Sequence, residues 1–311
     1  MATTQTEGRG SSTKGAGGAS GTSGGLSLEM KMLLPVLGLL ALLSLFPFFY
    51  IVWMSLNTVS LINGISFDFA GFANWTRMFT DEVVGAAWAR AALYFVATVG
   101  LEMFLGIAIA LLVHELVWGK NLMLSLLLLP MFMAPVIVGL LGRFLTDSSY
   151  GLYAYALREL GIFDRDILGT GGSALAAVIL MDVWEWTPLI VLIVLAGLAS
   201  VNQYVIEAAK VDGANYLARL RHIVAPSIAG VVIVALLVRS MDAIRYFDII
   251  TVTTNGGPGN TTKIIPIRLY ETAFRFFDLG YAAAIGLGML VFSILVANAF
   301  VRVLGSRGLA K

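Results

Sequence analysis

Cysteine is absent from the 311 residues, which excludes disulfides and thiolate metal sites and leaves the redox compartment unspecified. Histidine occurs only at His114 and His222. No metal-ligand pair and no nucleophile–base constellation can be assembled around them, so neither a catalytic residue nor a metal ligand is expected. Charge is equally scarce. Charged residues make up 13% and hydrophobic residues 59% of the chain, where a soluble domain has about a quarter and about half. The formal net charge is +1, and no concentrated basic patch accompanies it, so nucleic acid is not an expected partner. A mean hydropathy of +0.88 spread through most of the chain makes lipid the main solvent. Because only self-satisfied backbones cross lipid, an all-α, polytopic membrane domain is expected.

Apolar runs long enough to cross a hydrocarbon core of about 30 Å fall near Leu33–Leu56, Ala91–Leu112, Leu122–Leu145, Ser173–Leu198, Ile223–Ile244 and Tyr281–Val303, about six spans in all. The first is preceded by residues 1–27, rich in Gly, Ser and Thr, which cannot bury enough surface to order and read as a disordered tail. At about 24 residues that first run exceeds the roughly 7 to 15 of a signal-peptide core and is expected to remain as a helix. Residues 28–311 are then one membrane domain. An even number of spans puts both termini on one side. Lys and Arg summed over the two sets of connections come out nearly equal, so the positive-inside rule alone does not choose the side. Restricted to segments flanking the membrane, Lys31, Lys120, Arg219, Arg221, Arg302, Arg307 and Lys311 fall with the termini, and that side is taken as cytoplasmic.

The connection at 200–222 is polar yet patterned. Ser200 followed by Gln203 has the form of a capping box, and Ala208, Ala209 and Lys210 favour helix, so a short helix is expected to start near Val201. Gly213 can stop it in the left-handed conformation, and Leu217 to His222 can form a second helix before Pro226. The product is a helix-turn-helix lying across the membrane face.

Glu207-Ala208-Ala209, Gly213, Ile223 and Pro226 resemble, at the same spacing, the EAA loop of ABC importer permeases; Ala225 stands where that family usually has Leu. A second stretch, Phe247-Asp248, Thr253 through Thr261 with its Asn255-Gly256-Gly257-Pro258 turn, Tyr270 and Ala273-Phe274, is similar to the segment before the last helix of carbohydrate permeases of the maltose and glycerol-phosphate type. With Trp186-Thr187-Pro188 and Tyr150-Gly151, the likeness covers roughly residues 30–305. The resemblance implies a type I ABC importer permease architecture in the inner membrane of a prokaryote. It implies that Glu207, Ala208, Ala209, Asp212 and Gly213 form a coupling helix seated on an ATPase. It further implies a second homologous permease, two ATPase subunits and an extracytoplasmic solute-binding protein as partners, alongside membrane lipid. The phosphate-binding order Gly, four residues, Gly-Lys-Ser/Thr is missing. ATP and Mg are therefore expected on the ATPase subunits, with no cofactor on this chain.

Ionisable residues inside spans mark candidate transport sites. Asp182, Glu185, Trp186 and Leu189 share one face of the fourth run, and Arg239, Asp242, Ala243 and Tyr246 share one face of the fifth. In the resembled permeases the sugar sits between these two helices. Carboxylates and an arginine fork suit sugar hydroxyls, and an aromatic ring suits an apolar sugar face. The solute class implied is a sugar or a derivative such as a polyol, sugar phosphate or sulfonated sugar. The competing reading is a network, Asp182 to Arg239 for example, that only locks helices together. Glu102, alone in the second run, reads as structural. Two other classes stay open: a secondary transporter, for which no internal repeat is visible, and an intramembrane hydrolase using Asp182 and Asp242.

Overall fold

The computed structural model describes residues 28–60 and 66–306. The tail expected at 1–27, and Arg307 and Lys311 from the charge argument, lie outside the described residues. The chain divides into two units, Met1–Phe49 and Tyr50–Lys311. In the first, the described residues 28–49 belong to one apolar helix whose last residues fall in the second. This helix, α1, runs Leu28–Ser55 with Pro35 and Pro47 inside it, five residues earlier at its start than the hydropathy run.

Among the described residues, the regular structure of the second unit is helical apart from one ribbon. Strands β1 (Asn57–Ser60) and β2 (Ser66–Phe69) pair antiparallel, with Asn57 opposite Phe69. The side-chain amide of Asn74, on α2 (Ala73–Thr80), donates to the Ser55 and Asn57 carbonyls at 3.0 Å each. Asp81 then caps α3 (Glu82–Glu115) by accepting from the Val83 and Val84 amides. The cap explains why α3 starts nine residues before the apolar run at Ala91: it includes about two and a half turns, Glu82–Arg90, in which charged and small residues interrupt the apolar pattern.

The third run is not one straight span. It forms α4 (Lys120–Leu128), a 3₁₀ turn at Pro130–Phe132 and α5 (Pro135–Leu145), bent by 95° at the break. Proline lacks the N–H that would continue the helix and pushes the preceding residue to extended backbone; Ala134, before Pro135, has ψ 138. Among the described residues five helices are long and apolar enough to cross a membrane, and the bent pair makes a sixth if counted as one span.

After α6 (Leu152–Glu159) come the long α7 (Gly171–Ala199), α8 (Gln203–Val211) and α9 (Tyr216–Arg219). A π-helical turn at Leu220–Val224 leads into α10 (Ala225–Ala243). The chain ends with α11 (Asp248–Thr253), α12 (Ile265–Tyr270), another π turn at Glu271–Arg275, and α13 (Leu279–Ser306).

The core is built on α3 against α7, with α10 packed on both. Gly106 permits the closest approach: a methyl group there would lie 2.6 Å from the Ile190 side chain. One apolar cluster joins Tyr94, Val178, Val183, Ile249 and Ile250. Another joins Ala110, Ile190, Val194, Leu198 and Ile228. Backbone hydrogen bonds within the helices satisfy the main chain, so packing of these faces decides which side chains point inward.

Candidate functional site

Helix α7 turns Asp182 and Glu185 inward because Val178, Val183 and Ile190 on the same side are packed into the core. Helix α10 turns Arg239 inward next to Ser240 and Ala243, and α3 contributes Glu102. The four ionisable side chains Glu102, Asp182, Glu185 and Arg239 are all 0% exposed.

Arg239 is the hub. Its Nε donates to Glu102 Oε2 at 2.6 Å and its Nη2 to Glu102 Oε1 at 2.9 Å, a bidentate fork. Nη2 also donates to Asp182 Oδ2 at 2.6 Å, and Nη1 to Asp242 Oδ2 at 2.9 Å. One cation on α10 thus ties α10 to α3 and α7 simultaneously. The Asp242 side chain is 42% exposed, unlike the other two carboxylates of the ring.

Aromatic groups close the cluster. The guanidinium carbon lies 5.4 Å from the Trp186 ring centroid and 5.6 Å from that of Tyr246, within cation–π range. Tyr246 donates its hydroxyl to Glu185 Oε2 at 2.8 Å and stacks on Tyr94 with centroids 6.1 Å apart. Glu185 Oε1 and Ser240 Oγ have no hydrogen-bond partner among the described residues. Such buried polar atoms are costly unless water or a ligand completes them.

All six residues expected along a solute path, Asp182, Glu185, Trp186, Arg239, Asp242 and Tyr246, therefore come together. The two helical faces do oppose one another, and they meet inside the bundle through Arg239–Asp182 and Tyr246–Glu185 hydrogen bonds. Every nitrogen of the Arg239 guanidinium is engaged by a carboxylate. Glu102, read from the sequence as a lone acid, is instead the bidentate partner of Arg239. Part of its signal was available: an acid within an apolar run calls for a cation at the same membrane depth, and Arg239 lies farther from the end of its run than Arg143 or Arg302 do from the ends of theirs. Tyr94 had no such signal, since aromatics are common in apolar runs.

The loop residues lie at the other end of α7 and α10. Helix α8 begins at Gln203, two residues after Val201, but its N-cap is Asn202, accepting from Tyr204 N at 3.0 Å, and not Ser200, which instead donates to the Gly197 carbonyl at 2.7 Å. Gly213 has φ +80° and ends α8. Asn215 caps α9 by accepting from Ala218 N at 2.8 Å. No break falls at Pro226: α9, the π turn and α10 run on continuously, with the π turn at Leu220–Val224 replacing regular α-helical bonding just ahead of the proline, which has no N–H to donate. Glu207, Ala208, Asp212 and Gly213 are exposed and Ala209 is half-buried. Beside them Tyr204 is 82% and Val211 87% exposed, an apolar strip on the outer face of the loop.

Residues 102–307 match the family described as "Binding-protein-dependent transport system inner membrane component". Among curated proteins, the chain is 34% identical over 273 residues to a probable ABC transporter permease protein of Sinorhizobium fredii, covering 88% of each. It is 32% identical over 275 residues to the trehalose/maltose transport system permease protein of Thermococcus litoralis, covering 87% of this chain and 90% of that one. Among solved structures, one chain of a bacterial ABC transporter involved in import of the acidic polysaccharide alginate superposes with a TM-score of 0.78 at 21% identity, over 91% of this chain and 96% of that one. The fold is that of a type I importer permease. The chain belongs to the inner-membrane component family of binding-protein-dependent transport systems, within its sugar permeases, and is a transport subunit, not an enzyme.

Proposed function

We propose that this chain forms half of the translocation path of an ATP-driven importer for a sugar or sugar-derived solute, and that loop 200–222 is its contact with an ATPase subunit. The observation that carries this reading is the loop itself. Tyr204, Val211 and Leu217, which is 69% exposed, present apolar surface on a polar connector. Apolar groups gathered on one exposed face favour a protein partner. Glu207, Ala208, Ala209, Asp212 and Gly213 are the coupling residues, and the face that bears them is cytoplasmic, as are both termini. A second homologous permease completes the path. Two ATPase subunits hold ATP and Mg, and an extracytoplasmic solute-binding protein delivers the solute. The trehalose/maltose permease of Thermococcus litoralis supports a carbohydrate as the cargo.

Within the path the site residues divide. Arg239, Glu102 and Asp182 act as a lock that makes α3, α7 and α10 one body. A pull on the loop then moves all three helices together, because α7 and α10 emerge from its two ends. Asp242, with its exposed carboxylate, is the member able to accept hydrogen bonds from solute hydroxyls, with Trp186, Glu185 and Tyr246 supporting it. Alternation between two states requires different contacts in each, and the loop supplies the lever.

Glu207→Lys tests the coupling assignment. The expected result is loss of ATPase binding and of uptake with the chain still folded and inserted. Unchanged association and uptake would mean that the loop does not couple.

A further inference from the structure

Behind the coupling face lies a separate cavity of about 230 Å³, between the end of α3 and the inner side of the loop. Its lining combines apolar side chains, among them Leu111, Leu198 and Val224, with the ionisable Lys210, Arg219, Glu115 and His114. Helix α8 divides its faces. Gln203, Ile206 and Lys210 turn to the cavity, while Tyr204 and Val211, seven residues apart, project from the other side of the helix and Glu207 lies between the two faces. The cavity therefore stays available when a partner covers the outer face.

Its position sets the chemistry. Trp118, in the short connection after α3, is 87% exposed, and a tryptophan at the end of a span marks the headgroup level of a bilayer. Arg219 donates through Nη1 to the Ala214 carbonyl at 2.6 Å, which holds the guanidinium in place and leaves its remaining N–H groups for an anion. With His114 counted as neutral, Lys210 and Arg219 against Glu115 leave the lining with one net positive charge, which a single phosphodiester neutralises. Free phosphate would meet the polar groups of the lining only. An amphiphile meets the apolar ones as well.

We propose that this cavity binds the phosphodiester headgroup of an anionic glycerophospholipid, with Lys210 and Arg219 on the phosphate and the first acyl methylenes against Leu111, Leu198 and Val224. Basic pockets between membrane helices at the cytoplasmic level favour such headgroups. The lipid bridges α3 to α8 and α9, so its occupancy stiffens the loop that carries the coupling residues. The choice of leaflet rests on the orientation proposed above; the binding chemistry does not.

The test uses the assembled transporter in nanodiscs of equal phosphatidylglycerol and phosphatidylcholine, with lipids retained by the complex counted by native mass spectrometry. Phosphatidylglycerol is expected to be retained preferentially. Lys210→Gln is expected to weaken retention on the order of fivefold, the effect of about 1 kcal/mol per basic residue near a membrane surface. Lys120→Gln, at the same level but outside the cavity, leaves it unchanged. Equal retention of the two lipids, an equal loss in Lys120→Gln, or displacement by millimolar inorganic phosphate overturns the proposal. Tyr204→Cys, the single cysteine of an otherwise cysteine-free chain, reports orientation separately: labelling by an impermeant maleimide only from the outer side refutes the cytoplasmic assignment while the retention comparison still stands.

Discussion

Replacing Arg239 with alanine removes the one cation that faces three carboxylates. Glu102 and Asp182, both 0% exposed, would then be buried without the fork that holds them, and four hydrogen bonds of 2.6 to 2.9 Å would be lost. Removing one partner of a buried ion pair costs about 3–5 kcal/mol, mostly because the remaining charge is left uncompensated. Asp242→Asn is expected to be mild, about 1 kcal/mol or less, because that carboxylate is 42% exposed and screened. Arg239→Lys keeps the charge but loses the fork and recovers only part of the difference. Unfolding of the purified assembly in mixed micelles, followed by tryptophan fluorescence, measures the series. The lock is refuted if Arg239→Ala costs less than about 1 kcal/mol or if Asp242→Asn is as damaging.

Gly106→Leu is expected to force α3 away from α7, since even a methyl group would sit 2.6 Å from Ile190; a loss of about 1–3 kcal/mol in the same unfolding assay is the expected size. Asp81→Ala removes the cap of α3 and should cost about 1 kcal/mol. Partial burial pushes the Asp81 carboxyl up, but the Tyr281 hydroxyl and the Val83 and Val84 amides outweigh burial and hold it below the ordinary aspartate value. Its folded value is thus depressed, so its stabilisation is present above the ordinary aspartate range and is lost as pH falls through the folded value. An unfolding series in acid should show that dependence in the parent chain and lose it in Asp81→Ala.

Hydropathy located the spans because desolvating twenty-odd apolar residues is a large and local signal. Their true ends escaped it: Asp81 starts α3 through a hydrogen bond, and Asn202 rather than Ser200 starts α8, choices that depend on which side chain reaches an amide. The bend between α4 and α5 was written in Pro130 and Pro135, yet an apolar run conceals a change of direction. Helical spacing grouped Asp182 with Glu185 and Arg239 with Asp242. Spacing says which residues share a face but not what that face meets, so the inward turn of both faces and the fork from Arg239 to Glu102 required packing of three helices that lie far apart in the chain.

Uptake into proteoliposomes tests the importer reading most directly, with this chain and its partner permease reconstituted in the presence or absence of the ATPase subunits, using binding protein loaded with a radiolabelled disaccharide. The expected result is uptake only when the ATPase subunits and ATP are both present. Solute entry down its gradient through the permeases alone, unaffected by ATP, would contradict it and return the chain to the class of secondary carriers.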